Sequence, residues 1–112
     1  MAAGNYDIVI DQGSDFSIEL VVAQNGEPVN LGSHSASAQL RPTPTSSTLS
    51  ATFTCQVTNA SEGKLTMSLG YATTRNVASG KYYYDLELFN TSANSITRLI
   101  QGVARVTAEV TR

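Results

Sequence analysis

Apolar and polar residues alternate with a period of two along most of this chain, including the stretch between Ser79 and Phe89. One face of that stretch carries Tyr82, Tyr84, Leu86 and Leu88, and the other carries Tyr83, Asp85, Glu87 and Phe89. Successive side chains of a β-strand point to opposite faces, whereas a helix would scatter these positions around its circumference. Three consecutive tyrosines also favour a pleated surface. We therefore predict a central strand with one face in the core, whose tyrosine hydroxyls hydrogen-bond to neighbouring loop backbone.

The same alternation predicts six more strands, at Tyr6–Ile10, Phe16–Val22, Ser35–Arg41, around Cys55, around Met67 and at Ile96–Ala108. Their predicted inward residues are Tyr6, Ile8 and Ile10; Phe16, Ile18, Leu20 and Val22; Ala36, Ala38 and Leu40; Phe53, Cys55 and Val57; Leu65, Met67 and Leu69; and Ile100, Gly102, Ala104 and Val106. The last strand is also partly apolar on its other face, at Leu99 and Val103. This second apolar face suggests contact with a neighbouring subunit.

The connections between these strands carry turn and loop signals. Asn25-Gly26 is typical of a tight turn, and the segment after it predicts that Val29 and Leu31 tuck under the sandwich edge. The segment 41–48 contains two prolines and many hydroxyl residues, which predicts an exposed loop. Residues 72–77 favour one short helical turn, with Val77 closing the end of the core.

Together these elements predict an all-β fold, an antiparallel immunoglobulin-like β-sandwich of about seven to eight strands with one short helical turn. The length of 112 residues predicts a single domain spanning 1–112. A single cysteine and no tryptophan exclude the antibody version of this sandwich. A small barrel is the competing architecture.

Composition narrows the classes of partner. Only 14% of the residues are charged and the formal net charge is −2, which gives no case for binding nucleic acid. The acidic residues from Asp7 to Glu27 precede every basic residue, so the chain either mixes its charges on folding or stacks head to tail. Neither a signal peptide nor a membrane span is predicted, so we expect synthesis and assembly in a cytoplasm.

The cysteine, histidine and acidic residues, which form most catalytic and metal sites, either stand alone in the sequence or lack the neighbours that such a site needs. Cys55 alternates with apolar residues, which favours a small buried hydrophobic role, and His34 lies alone in a predicted surface turn. A glycosidase pair would be Asp85 and Glu87, but no neighbour explains an acid of raised pKa. A calcium site would use Asp7, Asp11 and Asp15, whose spacing matches no known loop. We predict no catalytic, cofactor-binding or metal site.

Several stretches resemble a small β-sandwich domain of tailed bacteriophages. They are Ile-Asp-Gln-Gly-Ser-Asp-Phe-Ser at 10–17, Ala-Gln-Leu-Arg at 38–41, Gly-Lys-Tyr-Tyr-Tyr-Asp-Leu-Glu-Leu at 80–88, Arg-Leu-Ile-Gln-Gly-Val-Ala-Arg-Val at 98–106 and Glu-Val-Thr-Arg at 109–112. The chain is similar to the immunoglobulin-like domain at the start of phage baseplate upper proteins and in related tail, neck and head-decorating proteins. That family joins the domain to a longer receptor-binding chain. Because this sequence stops at Arg112, we expect a stand-alone structural or adaptor subunit.

The resemblance implies a non-enzymatic virion protein, a multi-copy adaptor or attachment subunit of the tail, neck or baseplate that binds other virion proteins in a symmetric assembly. We expect contacts through strand edges, loops and both termini, Met1–Asn5 and Thr111-Arg112. A capsid decoration protein on the head is an alternative. Another is a module that binds a host surface glycan through stacking residues. Those residues are Tyr71, Tyr82, Tyr83, Tyr84 and Phe89.

Overall fold

A computed structural model describes residues 4–111, and most of them lie in β-strands. The strands are β1 (Gly4–Asn5), β2 (Ile8–Asp11), β3 (Phe16–Val21), β4 (Ala23–Gln24), β5 (Glu27–Pro28), β6 (His34–Arg41), β7 (Ala51–Asn59), β8 (Lys64–Leu69), β9 (Gly80–Asn90) and β10 (Ser95–Thr107). One helix, α1, spans Tyr71–Arg75 between β8 and β9. The predicted all-β class with one helical turn is confirmed, and the helix begins one residue earlier than predicted.

Eight strands form one curled sheet in the order β1-β10-β9-β6-β7-β8-β3, with β2 also paired to β10. Strand β7 makes the sheet fold over on itself, because residues 51–53 pair with β6 and residues 54–59 pair with β8. Strand β7 therefore belongs to both halves of the curled sheet and connects them. Within residues 4–111 the end strands β1 and β3 do not pair, so the sheet is not a closed barrel.

The core lies between the two halves of the curled sheet. Alternation places the inward side chains of each strand there, and Leu40, Leu65, Met67 and Leu86 are completely buried. Phe53 joins the halves, since its ring lies 6.1 Å from that of Phe16 on β3 and 6.2 Å from that of Tyr84 on β9. The predicted inward residues of the central strand are confirmed, with Tyr84, Leu86 and Leu88 buried and Tyr82 half-buried.

Short connections behave as their sequences indicate. Asn25 and Gly26 have φ angles of 55° and 80° and join the two-residue strands β4 and β5, as a tight turn of the primed class requires. Leu31 and Val77 are buried, as predicted, and Val29 is partly buried against the core. The loop after β6 is mostly exposed, and the Arg41 guanidinium donates to the Ser46 carbonyl at 3.3 Å across its base.

The N-terminal strands depart from the expected antiparallel arrangement, because β1 and β2 both run parallel to β10. No hairpin links these strands, so the geometry of a tight connection does not fix their direction. The prediction for Tyr6 is wrong: it lies between β1 and β2 with 51% of its surface exposed. The chain changes course there, since the Tyr84 hydroxyl donates to the Tyr6 carbonyl and the Asp7 carboxylate accepts the Val103 N–H at 2.9 Å.

In strand β10 the alternation breaks once, at a bulge between Arg98 and Ile100. On its C-terminal side Ala104 and Val106 point inward and are buried, as predicted. On its N-terminal side Ile96 is opposite Phe89 and is 64% exposed. The outer side of the last strand therefore carries a strongly exposed isoleucine in addition to Val103, which was predicted there.

The Asp11–Asp15 segment packs against α1 and the C-terminal segment, and this contact explains its unusual sequence. Gln12 donates to the Val77 carbonyl at 2.8 Å and accepts the Glu109 N–H at 2.9 Å. Gly13 has a φ of 85°, and a β-carbon there would collide with the Glu109 carboxylate. Asp15 accepts the Tyr71 N–H at 2.7 Å and so supplies the N-terminal cap that Gly70 lacks.

The variant Tyr84→Phe, which lacks the hydroxyl, should lose less folding stability at alkaline pH than the wild type. Burial, followed by the electrostatic effects of Tyr6 and Asp7, raises the pKa of Tyr84 to about 12. Between pH 10, near the pKa of an unfolded tyrosine, and pH 12, the unfolded chain loses this proton first. Folding stability therefore falls by roughly 2–3 kcal/mol as the pH rises through this window.

Urea unfolding of Tyr84→Phe and the wild type across this pH window measures the effect. At neutral pH we expect the variant to be less stable by about 0.5–1.5 kcal/mol, because it loses the hydrogen bond to Tyr6. Near pH 12 the order should reverse. A difference in unfolding free energy that stays constant across the window would contradict the assignment.

Candidate protein-binding surface

The side of the sheet facing away from the core carries a groove of about 700 Å³, which we call the outer groove. Strands β6, β9 and β10 form its floor, and the N-terminal segment and Pro44 of the loop after β6 border it. Its outward-facing lining residues are Asn5, Asp7, Ser37, Gln39, Arg41, Tyr83, Asp85, Glu87, Arg98, Gln101 and Val103.

Strand register arranges the groove in cross-strand rows. Glu87 on β9 is opposite Arg98 on β10 and Ser37 on β6, and the next row places Asp85 between Gln101 and Gln39. A third row places Tyr83 between Val103 and Arg41. Side chains that share a face and a row lie close enough to interact directly. These three rows thus combine two carboxylates, two guanidinium groups and an aromatic ring, and Asp7 adds a third carboxylate at the border of the groove.

Arg98 does not pair with the carboxylate directly opposite it. Its guanidinium lies 3.3 Å from the Asp85 carboxylate, one row away, and also donates to the Gln101 side chain at 3.1 Å. Arg41 is held in a similar way, donating to the Gln39 side chain at 2.8 Å. Both guanidinium groups are therefore oriented by neighbours, as in sites that recognise polar partners.

The Glu87 carboxylate makes no hydrogen bond or ion pair with any residue between 4 and 111, although it is half-buried in the groove floor. The register explains this, since Arg98 is engaged by Asp85 and Ser37 is too short to satisfy both carboxylate oxygens. A carboxylate that is partly shielded from water and unpaired favours an incoming donor or cation. The carboxylate of Glu87 is therefore the acceptor in this groove that is most available to a donor group of a partner.

Beyond Tyr83 the outer face becomes basic. Lys81 and Arg105 occupy directly opposite positions on β9 and β10, and both are exposed. The Lys81 ammonium lies 5.4 Å from the centre of the Tyr83 ring, close enough for a cation–π interaction. Like charges in opposite positions oppose strand pairing, so this end of the face is suited to an acidic partner. The outer face thus runs from a row of mixed charge at Glu87 and Arg98 to a basic row at Lys81 and Arg105.

The acidic residues considered for a glycosidase pair or a calcium site do not come together in one site. The structure places Asp85 and Glu87 on the outer face, as the alternation predicts, but Asp85 is paired to Arg98. Asp7 accepts the Val103 N–H, and Asp11 accepts the Thr107 hydroxyl at 2.8 Å. Asp15 caps α1 at another position. Among residues 4–111 no three histidine, cysteine, aspartate or glutamate residues form a cluster that could hold a metal ion.

The aromatic residues of the glycan hypothesis do not form a flat exposed row. Tyr84 is buried, and the Tyr82 hydroxyl donates to the Ala78 carbonyl at 2.7 Å, so both help to hold backbone as predicted. Tyr71 is exposed, but it lies on α1 beneath the Arg75 guanidinium. Tyr83 and Phe89 share the outer face at opposite ends of six residues of strand, roughly 20 Å apart. This arrangement gives no support to the glycan hypothesis.

The predicted locations of His34 and Cys55 are only partly right. Cys55 points inward from β7 but is half-buried, and burial raises the pKa of its thiol. His34 was predicted in a surface turn. It ends the turn through residues 32–33, since its N–H donates to the Leu31 carbonyl at 3.0 Å, but it is also the first residue of β6, opposite Asn90, and is half-buried. Its Nδ1 atom is buried and has no hydrogen-bond partner within the described part of the chain.

A scan against protein-family models finds no match for this chain, and a search of curated proteins finds no significant match. In the part of the chain between residues 4 and 111, no helix is long and apolar enough to cross a membrane.

The sequence pattern had assigned Asp85 and Glu87 to the outer face. It missed the contributions of Arg41 and Gln101, although both are polar residues at outward positions of their strands. It could not place Arg98, which faces outward because of the bulge between Arg98 and Ile100.

Proposed function

We propose that this chain is a non-enzymatic structural subunit of a bacteriophage particle, an adaptor or attachment protein of the tail, neck or baseplate. The virion assignment rests on the resemblance of its motifs to the phage β-sandwich domain. The observation that carries the binding role is the outer groove, which holds an unpaired, half-buried Glu87 opposite Arg98 and two guanidinium groups, of Arg98 and Arg41, that are oriented by neighbours. The chain binds a second virion protein there.

The chemistry of the groove fits a protein partner. Arginine and tyrosine are enriched where proteins bind one another, because each combines a large contact area with polar groups. Arg41, Arg98 and Tyr83 supply these features, and Glu87 offers an acceptor for a lysine, arginine or backbone donor of the partner. The position of the groove on regular strands holds these groups in fixed relative places.

The strand order supports an immunoglobulin-like relationship. In that fold one sheet contains strands A, B, E and D and the other contains C, F and G. Here β3, β8 and the second half of β7 occupy the positions of B, E and D, and β6, β9 and β10 occupy those of C, F and G. The core contact of Phe53 with both halves corresponds to the packing that such a sandwich needs.

Reversing the charge of Glu87 should block incorporation of the chain into particles. Glu87→Lys would place a third positive group beside Arg98 and remove the free acceptor, so we expect at least a roughly tenfold loss of the chain from assembled particles. The measurement is quantitative mass spectrometry of gradient-purified particles from cells that supply either the wild-type or the variant chain.

Glu27→Lys is the matched control, because it makes the same charge change on the exposed β5 strand outside the groove. Both variants should fold, since Glu27 is exposed and Glu87 has no side-chain partner to lose among residues 4–111, while a like-charge pair with Arg98 should cost no more than about 1 kcal/mol. Equal incorporation of the two variants would refute the role of the groove. Failure of the wild-type chain to appear in purified particles would refute the virion assignment.

A further inference from the structure

Strand β3 is an edge strand with no visible protection against pairing. It joins β8 on one side, and within residues 4–111 no strand joins it on the other. Its register with β8 continues from Phe16 to Val21 without a shift, whereas β7 and β10 each contain a bulge. It contains no proline or lysine, and Glu19 is its one charged residue. Such an edge readily accepts another strand.

The core is also incompletely covered at β3. Its inward residues Phe16, Ile18 and Leu20 are only partly buried, while Leu65, Met67 and Leu69 on the adjacent strand β8 are buried. Burial therefore falls off at the last strand of the sheet. A further strand with apolar residues at alternate positions would remove more of the β3 apolar surface from water.

The direction of the free backbone groups follows from one hydrogen bond at the end of β3. The Val22 N–H donates to the Gly63 carbonyl at 2.7 Å, toward the β8 side. Because antiparallel neighbours alternate between bonded and non-bonded positions, Leu20, Ile18 and Phe16 also face β8 with their backbone groups. Ser17 and Glu19 then direct their N–H and C=O groups to the open edge.

We propose that β3 pairs with β3 of a second copy of this chain, antiparallel and centred on Ile18. This register places five residues of each copy opposite one another, with Phe16 facing Leu20 and Ser17 facing Glu19 of the second copy. Ser17 and Glu19 carry the free backbone groups, so they form two hydrogen-bonded pairs across the two-fold axis. Inward residues meet inward residues, and the inner face continues from one copy into the other.

Charge and length select this register over its neighbours. A shift that centres the pair on Glu19 would place the two Glu19 carboxylates directly opposite each other, which is unfavourable. The opposite shift, centred on Ser17, places Asp15 opposite Glu19 and so also brings like charges together. A pair centred on Leu20 would place only residues 19–21 of β3 opposite one another, because the strand ends at Val21. The Ile18-centred register brings no two acids together.

The partner is a second copy because β3 is complementary to itself in this register. A single edge of this length buries less surface than a standard interface, so the dimer should be weak and concentration-dependent. Many copies in one particle would supply the local concentration that such pairing needs.

Charges introduced at Ser17 test the register. Ser17→Glu places an acid opposite Glu19 twice in the dimer and should raise its dissociation constant by roughly two- to thirtyfold, whereas Ser17→Lys should lower it by a similar factor. The double variant Ser17→Glu with Glu19→Lys should restore association. Sedimentation equilibrium of the full chain from micromolar to millimolar concentrations measures all of these constants.

Ser68→Glu and Ser68→Lys are the matched controls, since Ser68 is opposite Ser17 on β8 and lies one strand away from the edge. They should change the dissociation constant much less. A wild-type chain that remains monomeric throughout the concentration range would overturn the proposal, as would equal effects at Ser17 and Ser68. Glu87→Lys lies on the outer face and should leave the dimer unchanged, so failure of the groove and failure of the dimer are separate results.

Discussion

Phe53→Ala is expected to lower the free energy of unfolding by about 3–5 kcal/mol. Phe53 is 4% exposed, and its ring contacts Phe16 in one half of the curled sheet and Tyr84 in the other. Truncation would leave a cavity at the place where β7 passes from one half to the other. Few other side chains can fill that space, because the flanking inward positions on β7 hold only Ala51 and Cys55.

Urea unfolding at neutral pH measures this loss, with Thr54→Ala as the control. Thr54 is the next residue on β7 but points outward and is exposed, so its truncation should cost less than about 0.5 kcal/mol. A loss below about 1 kcal/mol for Phe53→Ala would mean that the two halves are held together elsewhere.

Thr74→Val is expected to cost about 2–4 kcal/mol, although it hardly changes the volume of the side chain. Thr74 is fully buried. Its hydroxyl accepts a hydrogen bond from the Gly13 N–H at 3.0 Å and donates one to the Ser14 carbonyl at 2.8 Å. Valine would leave the half-buried Gly13 N–H without a partner, at a cost of about 1–3 kcal/mol, and would remove the hydrogen bond to the carbonyl of the exposed Ser14, worth about 0.5–1.5 kcal/mol. The loss should loosen the contact between the Asp11–Asp15 segment and α1.

Thr73→Val makes the same exchange on the adjacent, exposed position of α1 and controls for helix propensity. Thermal unfolding should separate the two variants clearly. In addition, hydrogen exchange at the Gly13 amide should accelerate in Thr74→Val and not in Thr73→Val. Similar stabilities for the two variants would show that the Thr74 hydroxyl does not hold the segment.

Alternation alone was sufficient to predict most of the strands, because one face of nearly every strand enters the core. The inward sets of β6, β8 and β9 were correct for this reason, including the buried Tyr84 among three consecutive tyrosines. The Asn25-Gly26 turn was also predictable, since few residue pairs tolerate two positive φ angles. These features depend on local sequence and on one buried face.

Features that depend on distant parts of the chain were not predictable in this way. Tyr6 was assigned to the core because it continues an alternating pattern, but contacts with Tyr84 and Val103, far along the chain, turn the backbone at this point. The parallel pairing of the N-terminal strands with β10 has the same origin. The Asp-Gln-Gly-Ser-Asp motif signalled only a turn, whereas its side chains cap α1 and bind the C-terminal segment.

Predicting the outer groove would have required both the local alternation and the pairing of distant strands. Its acidic residues were recognised as outward-facing, but the groove exists because strand register brings Arg41 of β6 and Arg98 of β10 to either side of β9. Strands β9 and β10 form a hairpin, but the pairing of β6 with β9 joins residues more than forty positions apart, and no local pattern sets this pairing. The unpaired state of Glu87 follows from the same register.

Reconstruction of intact virions at side-chain resolution tests the proposed function most directly. The proposal predicts this fold in rings of fixed symmetry at the tail, neck or baseplate, with the outer groove filled by a different virion protein whose donor group contacts Glu87. Density spread over the head lattice would instead identify a capsid decoration protein. Absence of the chain from the particle, or a groove open to solvent in every copy, would contradict the proposal.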